Sequence, residues 1–189
     1  MTMNWGKSFM STRTINGVTL VLLQGDIVKV AADAIVNAAN TGLRAGVGVC
    51  GAIHDAGGPT IEEECSKIGG CPTGSAVATS AGNLPAKYVF HAVGPIYMDS
   101  PKDAPRLLAS AYQSCLNLAE EKQITSISFP SLSTGVFGYP LESAAPIALH
   151  TIIEHIKRPT SLKQVTMVLY GHKAYEAYER ALEETSLLA

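Results

Sequence analysis

Segments with strand character alternate with segments of helical periodicity through most of this chain. The stretches 17–23 and 87–93 are rich in apolar and β-branched residues, and each ends near a glycine. Strands of this composition are typical of sheets whose two faces are both covered by helices. The alternation therefore predicts a three-layer α/β/α sandwich. Its central sheet is expected to be mixed but largely parallel, with extra pairing from the N-terminal strand.

The individual elements follow from the same patterns. In 103–122, apolar residues recur three or four positions apart, which indicates one buried helix face. Strands are predicted at 17–23, 34–39, 75–80, 87–93, 126–132 and 164–170. Helices are predicted at 52–67 with an interruption at 57–59, and at 103–122, 141–156 and 174–188.

Length and composition predict one folded domain. A chain of 189 residues, 47% of them hydrophobic, can bury a substantial core. Residues 1–12 are predicted to be a poorly ordered N-terminal extension, and residues 13–189 the domain itself.

Composition also argues against several classes of partner. The formal net charge of −2 does not favour general nucleic-acid binding, which normally uses a basic face. No apolar run is long enough to cross a membrane, and residues 1–10 lack the apolar core of a signal peptide. The four cysteines therefore predict reduced thiols in a cytoplasmic protein.

The strongest local motif is the glycine-rich segment TGLRAGVGVCG at 41–51. It lies between a predicted strand and a predicted helix. Glycine lets a phosphate approach the backbone, and successive N–H groups at a helix N-terminus bind anions. A plain connecting loop is the alternative, but this context favours a phosphorylated ligand. The segment matches neither a Walker A loop nor the usual dinucleotide fingerprint.

A second loop, SLSTGVFGYP at 131–140, has the same strand-to-helix setting. Since ligands of such sheets bind at the carboxyl ends of the strands, the two loops together are predicted to bind a diphosphate from both sides. Asp26 follows the first strand and suits either a turn or a hydrogen bond from an exocyclic amine. Asn37 is predicted to satisfy local backbone groups, which is a structural role. Asn40 has either that role or a contact with a ligand hydroxyl.

Six segments in this order resemble the macrodomain family, and within it the branch of mono-ADP-ribose and O-acetyl-ADP-ribose hydrolases. They are GDI at 25–27, DAIVNAAN at 33–40, GAIH at 51–54, GGCPTG at 69–74, NLPAKYVFHAVGP at 83–95 and FPSLSTGVFGYPLE at 129–142. The resemblance spans roughly 18–182, nearly the whole chain.

The resemblance implies a ligand, ADP-ribose, and a role for each matching residue. Asp26 would bind the adenine amine, with the backbone of Ile27 beside it, and Tyr170 would stack on the adenine. Asn40 would contact the distal ribose. The diphosphate and distal ribose would lie against Gly48, Val49, Cys50 and Gly51, and against Ser133, Thr134, Gly135, Val136 and Phe137. The implied partners are ADP-ribose, ADP-ribosylated protein or O-acetyl-ADP-ribose, with no metal and no cofactor.

One position departs from the family pattern. The hydrolase loop usually reads GGGGVDG, whereas this chain has Cys50 at the aspartate and Val47 at a glycine. The aspartate is credited with orienting or activating water near the distal ribose, and a thiol with an ordinary pKa of about 8.5 replaces it poorly.

Several hypotheses follow, with Asn40 and Cys50 as the candidate catalytic residues. The protein is a reader of ADP-ribose with little hydrolase activity, or a hydrolase in which the ligand phosphate and Asn40 position water. A third hypothesis makes Cys50 a nucleophile assisted by His54. A zinc set of Cys50, His54, Cys65 and Cys71 has no spacing typical of tetrahedral sites. Two alternatives lie outside this family: a nucleotide-sugar or phosphate-monoester enzyme, and a purely structural interaction protein. The enzyme would need a catalytic acid, base or metal ligand in the pocket, but Asp26 is already assigned and the mid-strand His91 is predicted to be a buried structural residue.

Overall fold

The computed structural model describes residues 9–187, which form one seven-stranded sheet with helices on both faces. The strands are β1 (Met10–Ile15), β2 (Val18–Gln24), β3 (Ala34–Ala38), β4 (Ala76–Ser80), β5 (Tyr88–Ala92), β6 (Ser126–Phe129) and β7 (Gln164–Leu169). The helices are α1 (Gly48–Gly57), α2 (Pro59–Ile68), α3 (Ala104–Glu121), α4 (Leu141–Ile156) and α5 (His172–Leu187). A 3₁₀ turn, Ile27–Lys29, follows β2.

The strand order is β1-β2-β7-β6-β3-β5-β4. The five central strands are parallel to one another, and β1 and β4 pair antiparallel at the two edges. The predicted three-layer sandwich with a largely parallel sheet is confirmed. The antiparallel direction of the edge strand β4 was not predicted, because the sequence of a strand does not show the direction in which it runs.

Side chains alternate between the two faces of the sheet, and those of β3, β5 and β7 enter two separate cores. On β3, Ala34 and Val36 belong to the core that α3, α4 and α5 cover, and Ile35 belongs to the core under α1 and α2. This alternation explains why these strands are apolar on both faces. None of the described helices is both long and apolar enough to cross a membrane.

Several predicted boundaries differ from the structure, among them those at the N-terminus and at helix α1. Residues 10–12, assigned to a poorly ordered extension, lie in β1, because their backbone pairs with 21–23 of β2. Residues 1–8 of that extension lie outside the described part of the chain. Helix α1 begins at Gly48 rather than at residue 52, so the last glycines of the first loop already form a helical turn.

Asp33 fastens the strands at the amino edge of the sheet. Its carboxylate accepts hydrogen bonds from the backbone N–H of Thr125 at 2.9 Å and from the Thr125 hydroxyl at 3.0 Å. Lys87 forms an ion pair with it at 3.2 Å. These bonds lower the pKa of Asp33, chiefly through the Thr125 backbone, although burial opposes the shift. They join the segments that lead into β3, β5 and β6, the strands whose opposite ends carry the loops.

Candidate functional site

A cleft runs along the carboxyl edge of the central strands. It consists of a pocket of about 180 Å³ and a neighbouring pocket of about 510 Å³. Gly48, Val49, Ser131 and Gly135 line both pockets, so the two are continuous. The larger volume lies within the range of small-molecule sites. The predicted meeting of the two glycine loops therefore occurs, since β3 and β6 are neighbours in the sheet.

The N-terminus of helix α1 forms one wall of the cleft. Its N-cap residue, Val47, makes no side-chain capping bond, which leaves the first N–H groups of the helix available to an anion. Gly48 has a φ of +60°, a conformation that side-chain-bearing residues rarely adopt. At Gly51, a Cβ atom would lie 2.5 Å from the carbonyl oxygen of Gly46, so only glycine lets the loop fold back onto the helix.

The second loop forms the opposite wall. Across the described residues, the backbone N–H groups of Gly135, Val136 and Phe137 donate to no backbone acceptor. The loop holds its shape through the N–H of Tyr139, which donates to the carbonyl of Ser133 at 2.9 Å. The buried hydroxyl of Ser133 also has no partner within the described protein. These groups give the wall several donors that the described residues do not use.

The larger pocket ends at Asp26 and Tyr170. Asp26 accepts a hydrogen bond from the N–H of Val28 at 3.3 Å and lies 3.8 Å from the Lys29 ammonium. The expected turn-capping role is thus present through Oδ1, and Oδ2 is the oxygen that pairs with Lys29. Tyr170 is 82% exposed, which is unusual for a large aromatic residue beside a strand end. This exposure suits a ring that stacks on a flat ligand.

Asn40 is used within its own loop. Its Nδ2 donates to the carbonyl oxygen of Arg44 at 2.8 Å, and its Oδ1 accepts from the N–H of Arg44 at 3.0 Å. Asn40 does not line either pocket. An amide retains one further hydrogen and one lone pair, so a ligand contact is still available to it.

Cys50 lies at the floor of the smaller pocket and is 6% exposed. Its thiol donates to the carbonyl of Arg44 at 3.4 Å and receives a weak contact from Asn37 Nδ2 at 3.8 Å. Burial raises the pKa of the Cys50 thiol, and contacts with Asn37 and the backbone of Gly46 counteract this only in part. At neutral pH the thiol is therefore protonated and is neither a base nor an activated nucleophile.

The sequence of this chain matches known proteins over most of its length. The family model described as Macro domain matches residues 36–148. An O-acetyl-ADP-ribose deacetylase 1 of Pantoea vagans is 49% identical over 86% of this chain and 98% of its own. The chain belongs to the macro domain family.

Solved macro domains have the same fold. The Oceanobacillus iheyensis macrodomain with ADP superposes with a TM-score of 0.94 at 38% identity, over 97% of this chain and all of that chain. The Trypanosoma brucei macrodomain in complex with ADP-ribose superposes with a TM-score of 0.81 at 38% identity, over 86% of this chain and 68% of its own. The resemblance on which the site residues were assigned is thus confirmed at the level of family and fold.

In this macro domain the cleft is poor in groups for acid–base chemistry. Asp26, at the far end of the larger pocket, is the sole acidic residue among those that line the two pockets. The proposed helper of Cys50, His54, is buried, and neither of its ring nitrogens has a partner within the described chain. The nucleophile hypothesis therefore lacks both a lowered thiol pKa and a Cys–His hydrogen bond.

Several wall residues of this macro domain were not predicted. Gly94 follows β5 and lines the smaller pocket, and Ala52, Val168 and Ala174 line the larger one. A signal existed for Gly94, since it also ends a predicted strand. No sequence signal marked the apolar wall residues, because an apolar residue in a pocket wall and one in the core have the same sequence pattern. Val47 lies at the mouth in extended backbone with 70% exposure, so its bulk causes no strain there.

Proposed function

We propose that this protein binds ADP-ribose in the cleft and hydrolyses ester derivatives of it, O-acetyl-ADP-ribose being the representative substrate. The observation that carries the proposal is the pair of facing donor walls, the N-terminus of α1 and the loop 133–137, with Asp26 and Tyr170 at one end. ADP-ribose needs this order of groups: an aromatic and a carboxylate for the adenine, then clustered N–H donors for the diphosphate, then a further pocket for the distal ribose.

The adenine would occupy the larger pocket. The carboxylate oxygen of Asp26 that does not cap the 3₁₀ turn accepts a hydrogen bond from the exocyclic amine, and the backbone of Ile27 lies beside the ring. Tyr170 stacks on the exposed face of the adenine, since its ring is otherwise open to solvent. ATP shares the adenine but not the distal ribose, so selectivity over ATP rests on the smaller pocket.

The diphosphate would lie between the two walls. The first N–H groups of α1, from Gly48, Val49 and Cys50, would face those of residues 133–137. Gly51, also expected at the ligand, lines neither pocket, and its N–H donates to the carbonyl of Val47 at 3.5 Å. Backbone donors at a helix N-terminus hold phosphate without a cationic side chain, which agrees with the small net charge of the protein. The distal ribose then enters the smaller pocket above Cys50, within reach of the loop that Asn40 organises.

Hydrolysis would proceed without a protein base at position 50. Water attacks the acyl carbonyl carbon of the ester, and the ribose oxygen leaves and takes one proton of the water. The products are ADP-ribose and a carboxylate, and the second proton is released to solvent. A phosphate oxygen of the ligand and the loop of Asn40 hold the water, because the thiol of Cys50 is protonated and buried. The name of the Pantoea vagans relative supports this reaction class. Mono-ADP-ribosylated protein is a second ester substrate of the same kind.

A reader function is the second candidate, and one observation favours it. No carboxylate lies among the residues that line the smaller pocket, where the related hydrolase pattern has aspartate. A protein that only binds ADP-ribose needs no base, and the two facing walls would serve it equally well.

One pair of measurements separates these functions. Purified protein is titrated with ADP-ribose by calorimetry, and the same preparation is incubated with O-acetyl-ADP-ribose while release of acetate is followed. Binding with turnover supports the hydrolase, and binding without turnover establishes the reader. Absence of ADP-ribose binding, or equal affinity for ATP and NAD, would overturn both.

A further inference from the structure

Three buried side chains with metal-ligating atoms meet beneath the first glycine loop. His54 comes from α1, Cys65 from α2 and His91 from β5, and one nitrogen or sulfur atom of each lies within 4.8 Å of the others. Their exposed fractions are 7%, 1% and 0%. Segments distant in the sequence thus place two imidazoles and one thiol at a single point, in the core between the sheet and the helices α1 and α2.

His54 has ligand capacity that the protein does not use. Both of its ring nitrogens are buried and have no hydrogen-bond partner within the described chain. Buried polar groups are almost always paired, because leaving one unpaired forfeits its bonds with water. An imidazole in this state, next to a thiol and a second imidazole, requires a partner that the protein itself does not supply.

The ring of His91 is fixed so that Nδ1 carries the lone pair that a metal would need, and Asn37 now contacts that nitrogen. Its Nε2 lies 2.9 Å from the hydroxyl of Thr79, which itself donates to the carbonyl of Ser80, so Nε2–H is the donor and Nδ1 carries the lone pair. Asn37 Nδ2 contacts that lone pair at 3.1 Å. Metal-binding histidines usually donate their second N–H in this way, which fixes the ring.

The spacing of the sulfur and nitrogen atoms suits zinc. The Sγ of Cys65 lies 3.6 Å from Nε2 and 3.9 Å from Nδ1 of His91. With Zn–S of about 2.3 Å and Zn–N of about 2.0–2.1 Å, a tetrahedral ion separates two such ligands by about 3.5 Å. To bind zinc, the three ligand atoms, which now lie within 4.8 Å of one another, must close to about 3.5 Å, and the Asn37 amide must be displaced from Nδ1 of His91.

We propose that His54, Cys65 and His91 form a Zn²⁺ site that fastens α1 and α2 to β5 below the ligand cleft. Cys65 binds as thiolate and releases its proton to solvent, the two histidines bind as neutral imidazoles, and water takes the fourth position. No electron transfer is involved. The site departs from the sequence-based expectation of no metal, because His91 is brought to the pair by folding and Cys50 and Cys71 are not part of the set.

The site is tested on the full chain after removal of metal with a chelator. Zn²⁺ is titrated in competition with a chromophoric chelator, and Co²⁺ is added separately as a spectroscopic probe. The expected result is one Zn²⁺ per chain, a thiolate-to-Co²⁺ charge-transfer band in the near ultraviolet, and a melting temperature that rises with Zn²⁺. Cys65→Ser should abolish the band, and His54→Gln should weaken zinc affinity at least about tenfold.

Cys71→Ser is the matched control, since Cys71 is a buried residue in the same core whose thiol donates to the carbonyl of Pro72. It should keep both the band and the stoichiometry. Wild-type protein that takes up no Zn²⁺, or gives Co²⁺ spectra without a thiolate band, overturns the site even if a variant fails to fold. Loss of binding in Cys71→Ser but not in Cys65→Ser overturns it as well. None of these measurements depends on ADP-ribose.

Discussion

The side chain of Asn40 holds the backbone of Arg44 through both of its polar atoms, with Nδ2 and Oδ1 at 2.8 and 3.0 Å from the carbonyl and the N–H. The thiol of Cys50 donates to the same carbonyl at 3.4 Å. The start of the glycine loop is therefore tied both to the end of β3 and to the first turn of α1. This contact shapes the wall that would face the diphosphate.

Asn40→Ala should weaken ADP-ribose binding about tenfold. The variant loses two hydrogen bonds worth about 0.5–1.5 kcal/mol each. Part of the free energy of ligand binding must then order the loop, and the observed affinity for ADP-ribose falls. Calorimetric titration measures the effect. Asn117→Ala, an exposed amide on α3 away from the cleft, is the control and should bind as the wild type does. Unchanged affinity in Asn40→Ala would show that the loop needs no such tie.

Cys50→Asp should accelerate hydrolysis of O-acetyl-ADP-ribose by at least about tenfold, since a positioned general base contributes about 10²–10⁴ in rate. Asn37 Nδ2, now 3.8 Å from the sulfur, can donate to the new carboxylate. The carbonyl of Arg44 would repel it, which limits the gain. Acetate release under single-turnover conditions reports the change.

Cys50→Ser is the control for that substitution. It keeps a small neutral donor for the carbonyl of Arg44 and adds no base, so its rate should equal that of the wild type. If the wild type already hydrolyses the ester as fast as Cys50→Asp does, the cysteine does not impair this protein, and water activation by the ligand itself is sufficient.

Asp33→Asn should lower the free energy of unfolding at pH 7 by about 1–2 kcal/mol, because the Thr125 donors then have only a neutral acceptor and Lys87 loses its ion pair. Bonding lowers the pKa of Asp33 below its ordinary 3.8, so its contribution is complete above that pH. It is lost as the pH falls from 3.8 through the folded-state pKa. Urea unfolding at pH 7 and at pH 3 measures both stabilities. The difference between wild type and variant should shrink at the lower pH; a constant difference would contradict the linkage.

The sequence predicts the sheet and most helices because apolar periodicity reports directly on burial. It also places the two glycine loops and Asp26 and Tyr170 at one edge, since strand ends in a parallel sheet converge. The start of α1 at Gly48 escaped prediction, because glycines normally oppose helix formation and only the loop geometry makes them the first turn.

Contacts between distant segments could not be read from the sequence. The pairing of Asn40 with Arg44 depends on how the loop folds back, and a loop asparagine has many partners within reach. His91 looked like a structural residue in the middle of a strand, and it is bonded as one; its approach to His54 and Cys65 depends on how α1 and α2 pack on β5. These features follow from tertiary packing rather than from local pattern.

The central claim, that the cleft binds ADP-ribose with its adenine at Asp26, is tested most directly by calorimetric titration of ADP-ribose into wild type, Asp26→Ala and Asp26→Asn. Asp55→Ala, an exposed carboxylate on α1, is the control. The wild type and control should bind one ADP-ribose with equal affinity. Asp26→Ala should bind at least about tenfold more weakly, since a charge-assisted hydrogen bond is worth about 1.5–3 kcal/mol. Asp26→Asn, which keeps the capping acceptor for Val28 but not the charge, should also bind weakly. Affinity unchanged in Asp26→Ala, or a wild type that does not bind ADP-ribose, would contradict the account.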